Sequence, residues 1–175
     1  MTTNQELRAA ELAAAVRALP GTVTEFLEVL AGESVDADVL AQRHVRASPD
    51  NAFGLPPGAD LLTRSVLLTG RDSGRPFVYA RSTMATERLP VPVLRRLQET
   101  SEPLGRVLVD HGVATRRQPV PEPPAPSPDG DRVVGELGGA ALSRRYRIAC
   151  EGTVAIDVSE WFLRITCDAL LAGLG

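Results

Sequence analysis

The chain has 175 residues and a formal net charge of −3, and all 19 of its basic side chains are arginine. Because lysine is absent, we exclude Schiff-base enzymes, pyridoxal-phosphate enzymes and Walker-A nucleotide-binding proteins. Two histidines and two cysteines are too few and too scattered for a zinc cluster or a disulfide framework, so we expect no metal and no disulfide.

The composition also predicts where the chain resides and what it avoids. Aromatic residues make up 4% of the chain, and the charge is slightly acidic, so we expect no nucleic-acid binding. No apolar run approaches the length of a membrane span, and the first residues lack the features of a signal peptide. We expect one cytoplasmic domain over residues 1–175 with no membrane association; the sequence does not establish the oligomeric state, although it favours a monomer.

The first half of the chain predicts two helices, a strand and a hairpin. The predicted elements are a helix over 5–19, a helix from Thr22 that ends at Gly32, a strand over 37–47, and a hairpin of strands 61–69 and 77–83. Pro20 stops the first helix, and Thr22 with Glu25 forms a capping-box pattern at the start of the second. Residues 48–60 are rich in Pro, Gly and Asn, which predicts a loop.

The second half predicts further short elements around a proline-rich stretch. They are helices over 90–98 and 103–111, a strand of about five residues from Val113, a hairpin of strands 142–150 and 153–163, and a helical turn over 169–174. Six prolines between residues 119 and 131 predict an extended, solvated loop. Because the strands meet through hairpins, the predicted fold class is α+β with a mainly antiparallel sheet.

Two charged residues share strand faces with apolar residues. Side chains alternate along a strand, so Arg64 lies among three aliphatic residues and Glu160 lies among apolar residues of the last strand. An unpaired buried charge costs several kcal/mol, so each group needs a partner. Either the two pair with one another or with backbone groups in the core, or they line a polar cavity whose anionic ligand balances the charge.

Arg81 strengthens the second interpretation. It shares a face with Phe77 and Tyr79 in the partner strand of the first hairpin, and we expect it near Arg64. A planar guanidinium suits bidentate contact with a carboxylate, so two of them predict a ligand with one or two carboxylates. The alternative is that Arg81 is a solvated strand residue, and a register slip of one residue would reverse these facings.

Six short segments, in this order, carry a family resemblance. They are Leu61–Leu68, Tyr79–Thr83, Glu102–Leu108, Ala114–Arg117, Arg144–Ile148 and Ser159–Leu163. Together they resemble the chorismate pyruvate-lyase family over residues 20–164. The resemblance implies the chorismate lyase-like fold, which UTRA ligand-sensing domains share: a curved, mainly antiparallel sheet with short helices that form flaps over a buried ligand cavity.

The resemblance also implies a reaction and a set of site residues. The family is a group of carbon–oxygen lyases that convert chorismate to 4-hydroxybenzoate and pyruvate without a cofactor. Its ligand-contacting Arg, Leu and Glu fall on Arg64, Leu104 and Glu160, it also has an Arg at the position of Arg81, and its early ligand-contacting Met corresponds to Val23. The catalytic residues expected by resemblance are Arg64 and Glu160, and all five positions are expected to contact substrate.

The expected chemistry relies on positioning and water exclusion, because elimination makes the substrate ring aromatic. Arg64 is expected to hold one carboxylate, and Arg81 to neutralise the other or line the approach. Glu160 is expected to contact the ring hydroxyl and to act as an acid or base, or only to orient the substrate during an internal proton transfer.

Two other functions remain open on sequence alone. The same fold serves as a sensing domain in DNA-binding regulators, but only about twenty residues precede the matched region here, too few for a helix-turn-helix. A free-standing domain that binds a small aromatic acid, or an enzyme acting on another chorismate-like or specialised-metabolite substrate, would fit the same pattern.

Overall fold

The computed structural model describes residues 2–19, 21–122, 124 and 127–173. The helices in these residues are α1 (Thr2–Arg17), α2 (Val23–Ala31), α3 (Val91–Glu99), α4 (Leu104–Asp110), α5 (Pro128–Glu136) and α6 (Arg164–Gly173). The strands are β1 (Val35–Arg46), β2 (Asp60–Gly70), β3 (Pro76–Ala85), β4 (Thr115–Val120), β5 (Ala140–Cys150) and β6 (Thr153–Leu163). A 3-10 helix over Thr86–Arg88 follows β3.

The strands form one sheet in which every neighbouring pair is antiparallel. The order is β1-β2-β3-β6-β5-β4. Strand β6 from the C-terminal half therefore pairs with β3 from the N-terminal half, and this contact joins the two hairpins. The predicted α+β class with an antiparallel sheet is confirmed.

Most predicted elements agree with the structure. The first strand, both hairpins and the helices over 90–98 and 103–111 are confirmed, with ends that differ by a few residues. The capping box of α2 is also confirmed: the Thr22 hydroxyl accepts a hydrogen bond from the Glu25 N–H at 3.2 Å, and the Glu25 carboxylate accepts one from the Thr22 N–H at 3.3 Å. Gly32 ends the helix with a left-handed φ of 69°.

The predicted loop over 119–131 is wrong at both ends. Pro119 lies within β4, which is an edge strand, where a proline is tolerated. Helix α5 begins at Pro128, where the Ser127 hydroxyl caps the Gly130 N–H at 3.5 Å. A serine cap followed by proline in the first turn was the local signal for this helix, and the high proline content concealed it.

The C-terminal helix also begins earlier than the predicted turn over 169–174. Helix α6 starts at Arg164, immediately after β6, and residue 174 lies outside the described residues. None of the described helices is long and apolar enough to cross a membrane.

Helices cover one face of the sheet, which we call the cavity face because it carries Arg64 and Glu160. Helices α3 and α4 pack on its central part through a buried cluster of Val93, Leu97, Val107, Leu108, Met84, Ile148 and Ile156. Residues of α1, α2 and α6 form a second buried cluster beside them with residues of β1, β2, β3 and β6. The opposite face is covered by α5 and by the loop between β1 and β2.

Candidate active site

A small buried cavity lies between the cavity face and the first turns of α2 and α4. Its volume is about 50 Å³, and its walls include Val23, Arg64, Leu104 and Glu160. The structure therefore brings together four of the five residues that were expected to contact substrate.

The close approach of α2 and α4 forms the roof of this cavity. A Cβ atom on Gly105 would lie 2.6 Å from the Thr22 Cγ2, so only glycine permits this spacing without movement. The first turn of α2 contributes Thr22, Val23 and Thr24 to the cavity wall. The N-terminal end of a helix carries partial positive charge, which favours an anion at this wall.

Arg64 projects from β2 and is bound by backbone rather than by a carboxylate. Its side chain is buried, Nη1 donates to the Glu102 carbonyl at 2.9 Å, and Nη2 donates to the Thr100 carbonyl at 3.1 Å. Burial lowers the pKa of Arg64, although the charge of Glu102 opposes this, and a guanidinium remains charged at neutral pH. Its Nε is also buried, and no hydrogen-bond partner for it lies among the described residues.

Glu160 projects from β6, is 2% exposed, and accepts two hydrogen bonds. Its Oε2 accepts from Arg144 Nε at 2.5 Å, and its Oε1 accepts from the Tyr146 hydroxyl at 2.9 Å. Burial raises the pKa of Tyr146, and the negative charge of Glu160 adds to the effect, so the phenol remains a donor. Two donors, one of them cationic, suit an ionised carboxylate.

Arg144 and Tyr146 are absent from the predicted site although they lie directly in it. The register of β5 and β6 pairs Arg144 with Glu160 and Tyr146 with Val158, so these side chains share the cavity face. Counting outward from the Glu151 turn would not have found them, because the bulge between Ile148 and Ala149 shifts the register by one residue and uninterrupted counting pairs Arg144 with Ser159.

Arg144 is held on several sides. Its Nη1 donates to the Val16 carbonyl at 2.6 Å, and its guanidinium lies 4.8 Å from the ring centroid of Tyr146 and 5.8 Å from that of Phe162. Burial is the largest single effect and lowers its pKa, but the charges of Glu160 and Tyr146 and the hydrogen bonds to them together outweigh it, so the pKa is raised. Its Nη2 is buried with no hydrogen-bond partner in the part of the chain that the structure describes.

The expectation that Arg81 lies near Arg64 is wrong. The β2 and β3 register pairs Arg64 with Ser82 and Arg81 with Ser65, so the two arginines point to opposite faces of the sheet. Arg81 lines a separate cavity of about 260 Å³ on the opposite face, together with Ser159. Arg81 therefore does not line the cavity that contains Arg64.

A larger cavity of about 440 Å³ adjoins the small one. The two share Arg117 and Tyr146 as wall residues, and Arg17 and Arg144 also line the larger cavity. Pockets for small organic ligands measure about 300–1,000 Å³, so the larger cavity has ligand size and the small one extends from it. Across the described residues, no cluster of His, Cys, Asp and Glu could hold a metal ion.

The comparison with known proteins decides the family. The model of the family described as "Chorismate pyruvate-lyase Rv2949c-like" matches residues 20–168. The chain belongs to this family. It is 31% identical over 160 residues to the chorismate pyruvate-lyase of Mycobacterium tuberculosis strain H37Rv, covering 82% of this chain and 75% of that protein. It is 30% identical over 148 residues to the Mycobacterium leprae chorismate pyruvate-lyase, covering 82% and 70%.

Solved structures agree on the fold of this family member. The effector domain of PhnF from Mycobacterium smegmatis superimposes with a TM-score of 0.57 at 18% identity, over 83% of this chain and 90% of that domain. The C-terminal domain of the histidine utilization repressor from Pseudomonas syringae pv. tomato gives 0.52 at 12% identity, over 75% and 92%. At these identities the likeness shows a shared fold and nothing about ligand or activity.

Proposed function

We propose that the protein is a chorismate pyruvate-lyase, which eliminates pyruvate from chorismate and releases 4-hydroxybenzoate without a cofactor. The observation that carries this proposal is the joint burial of Arg64 and Glu160 at one cavity, with the Arg64 Nε lacking an acceptor in the described part of the chain. A carboxylate ligand would complete the hydrogen bonding of this guanidinium. Family membership supports the same reaction.

The residues that line the small cavity can bind the carboxylate and the apolar surface of the substrate ring. Arg64 holds the ring carboxylate, because its Nε donates while Thr100 and Glu102 fix the other two nitrogens. Leu104 and Val23 supply apolar contact to the ring from the first turns of α4 and α2.

Glu160 acts at the ring carbon that loses its proton. The ether C–O bond breaks with its electron pair going to the enolpyruvyl oxygen, and the electrons of the neighbouring C–H bond complete the aromatic ring. Glu160 accepts a hydrogen bond from the ring hydroxyl on that carbon and takes the proton, which then passes to the methylene carbon of the departing pyruvate. Each carboxylate oxygen has two lone pairs, so contacts with Arg144 and Tyr146 leave acceptor capacity.

The cavity itself supplies the remaining contribution. Aromatisation provides the thermodynamic drive, so the protein needs only to hold the ring against Glu160 and to keep water from the departing enolate. The roof formed by α2 and α4 and the burial of both charges meet these requirements.

A coupled assay for pyruvate with chorismate as substrate tests the proposal. The wild-type protein is expected to release pyruvate, and Glu160→Gln to lower kcat by about 100-fold or more, as loss of a general base does. Absence of pyruvate from the wild type would contradict the proposal, and stabilisation by 4-hydroxybenzoate without turnover would support a binding domain instead. Full activity of Glu160→Gln would remove the acid/base role and leave only orientation.

A further inference from the structure

Arg144 is the most constrained ionisable side chain next to Glu160. The two side chains are 8% and 2% exposed, and they lie opposite each other in the β5 and β6 pairing. One guanidinium nitrogen contacts the Glu160 carboxylate while another contacts the Val16 carbonyl, and the planar group lies near the rings of Tyr146 and Phe162. Its direction is therefore fixed from the sheet and from α1 together.

The contact with α1 has a simple physical basis. The last four carbonyls of a helix lack intrahelical partners, and the C-terminal end of a helix carries partial negative charge. Val16 lies in the last turn of α1, and its carbonyl, which also accepts a hydrogen bond from the Leu19 N–H at 3.4 Å, has a second lone pair for a buried cation. Residue 16 precedes the region 20–168 matched by the family model, so this support comes from outside the matched region.

We propose that Arg144 is a positioning residue, which the last turn of α1 holds in place and which fixes the direction and charge environment of Glu160. This inference rests on the proposed lyase function. Arg144 acts on the reaction through the Glu160 carboxylate, which it binds at 2.5 Å.

Lysine cannot replace Arg144 in this role. Its ammonium is a point charge on a flexible stem, whereas guanidinium donates in two fixed directions and presents a flat face to aromatic rings. An ammonium that reaches Glu160 therefore gives up the Val16 carbonyl, and the carboxylate loses its fixed direction.

The test compares kcat and KM for pyruvate release in Arg144→Lys, Glu160→Gln and the double variant. Arg144→Lys is expected to lower kcat by about tenfold or more and to change KM by less than about threefold, because the lost effect concerns the reacting carboxylate. In the Glu160→Gln background, Arg144→Lys is expected to alter kcat by less than about twofold, because the effects of two substitutions are not additive when one residue acts through the other.

Arg147→Lys is the matched control. Arg147 also projects from β5, but to the opposite face, where it pairs with Asp157 at 3.5 Å. Its replacement is expected to leave kcat and KM unchanged. If Arg144→Lys does not fold, the double variant Arg144→Met with Glu160→Gln, which buries no unpaired charge, is expected to match the kcat of Glu160→Gln within about twofold.

Several results would overturn the inference. The first is a kcat of Arg144→Lys equal to that of the wild type. The second is a raised KM with unchanged kcat, which would make Arg144 a substrate-binding residue. The third is a loss of kcat from Arg144→Lys in the Glu160→Gln background as large as its loss in the wild-type background. An equal loss in Arg147→Lys would show a structural effect of the strand. An inactive wild-type protein marks a different failure, that of the proposed function, and the inference then falls with it.

Discussion

Arg64 and Glu160 are two buried charged residues whose hydrogen-bond partners differ in kind. Arg64 is bound by two backbone carbonyls, and its buried Nε–H has no acceptor among the described residues. Glu160 is bound by a cation and a phenol from the neighbouring strand, which fixes the direction of the carboxylate. The first arrangement suits binding of an anion, and the second suits proton transfer at a fixed position.

Arg64→Lys is expected to raise KM for chorismate about tenfold or more. One ammonium cannot hold the carbonyls of Thr100 and Glu102 and also donate to a carboxylate in a fixed direction. Steady-state pyruvate release measures the effect. The control is Arg88→Lys, since Arg88 also binds a carbonyl, that of Val154 at 2.7 Å, away from the cavity; an equal rise in both variants would contradict this role of Arg64.

Tyr146→Phe is expected to lower kcat about tenfold, which corresponds to about 1.4 kcal/mol. The substitution removes one of the two hydrogen bonds to Glu160 but keeps the ring beside Arg144. The melting temperature of the variant, followed by circular dichroism, separates this effect from unfolding. A folded variant with wild-type kcat would show that the phenol has no part in orienting Glu160.

At the scale of elements, the spacing of α2 and α4 sets the height of the cavity roof. Gly105→Ala places a methyl group against Thr22 and is expected to push the helices apart, lowering kcat/KM about tenfold with little change in secondary structure. Thr22→Ser keeps the capping hydroxyl and removes the opposing Cγ2, so the double variant is expected to recover most of this activity. No recovery would contradict the steric explanation.

Elements that are defined by local patterns could be predicted from the sequence. Thr22 and Glu25 identify a helix start within four residues, and alternating runs around glycine-containing turns identify the hairpins. The composition around α5 did not predict a helix, because a high proline content normally excludes one. Here the prolines precede the helix or lie in its first turn, where proline is tolerated.

Side-chain alternation could predict the candidate site only where one strand sufficed, whereas Val23 and Leu104 were expected from the family resemblance. Alternation within β2 and β6 placed Arg64 and Glu160 on buried faces, and the structure agrees. The sheet face on which Arg81 lies and the residues that Arg144 contacts both depend on which residues pair across strands. That pairing cannot be counted along the sequence, because the β2–β3 and β5–β6 pairs include register shifts at bulges. The contact between Arg144 and Val16 joins distant parts of the chain, and no local pattern indicates it.

At the scale of the whole molecule, the sheet order assembles the site from both halves of the chain. Strand β3 lies between β2, which carries Arg64, and β6, which carries Glu160. The helices over the cavity follow β3 in sequence or precede β1, so the roof and the floor come from separate segments. The site therefore depends on the complete fold rather than on one supersecondary unit.

The stability of the fold is expected to be highest between about pH 5 and pH 8. Hydrogen bonds from Arg71 and Arg96 lower the pKa of Asp36 and Glu102, so their stabilisation is present above the unfolded pKa and is lost as the pH falls. Burial raises the pKa of Cys167 to about 11, so its contribution is lost as the pH rises from the unfolded value towards 11. The midpoints of urea unfolding at pH 3, 5, 7 and 10 measure the loss of stability on the acidic and the basic side. A stability maximum at pH 3 or pH 10 would contradict this prediction.

Product analysis of chorismate turnover tests the central claim most directly. Purified protein is incubated with chorismate, and pyruvate and the aromatic product are quantified in the same sample by chromatography and mass spectrometry, with heat-denatured protein as the control. A chorismate pyruvate-lyase must yield 4-hydroxybenzoate and pyruvate in equal amounts at a rate that scales with protein concentration. Chorismate consumed no faster than in the control, or pyruvate formed with a different aromatic product, would contradict the account.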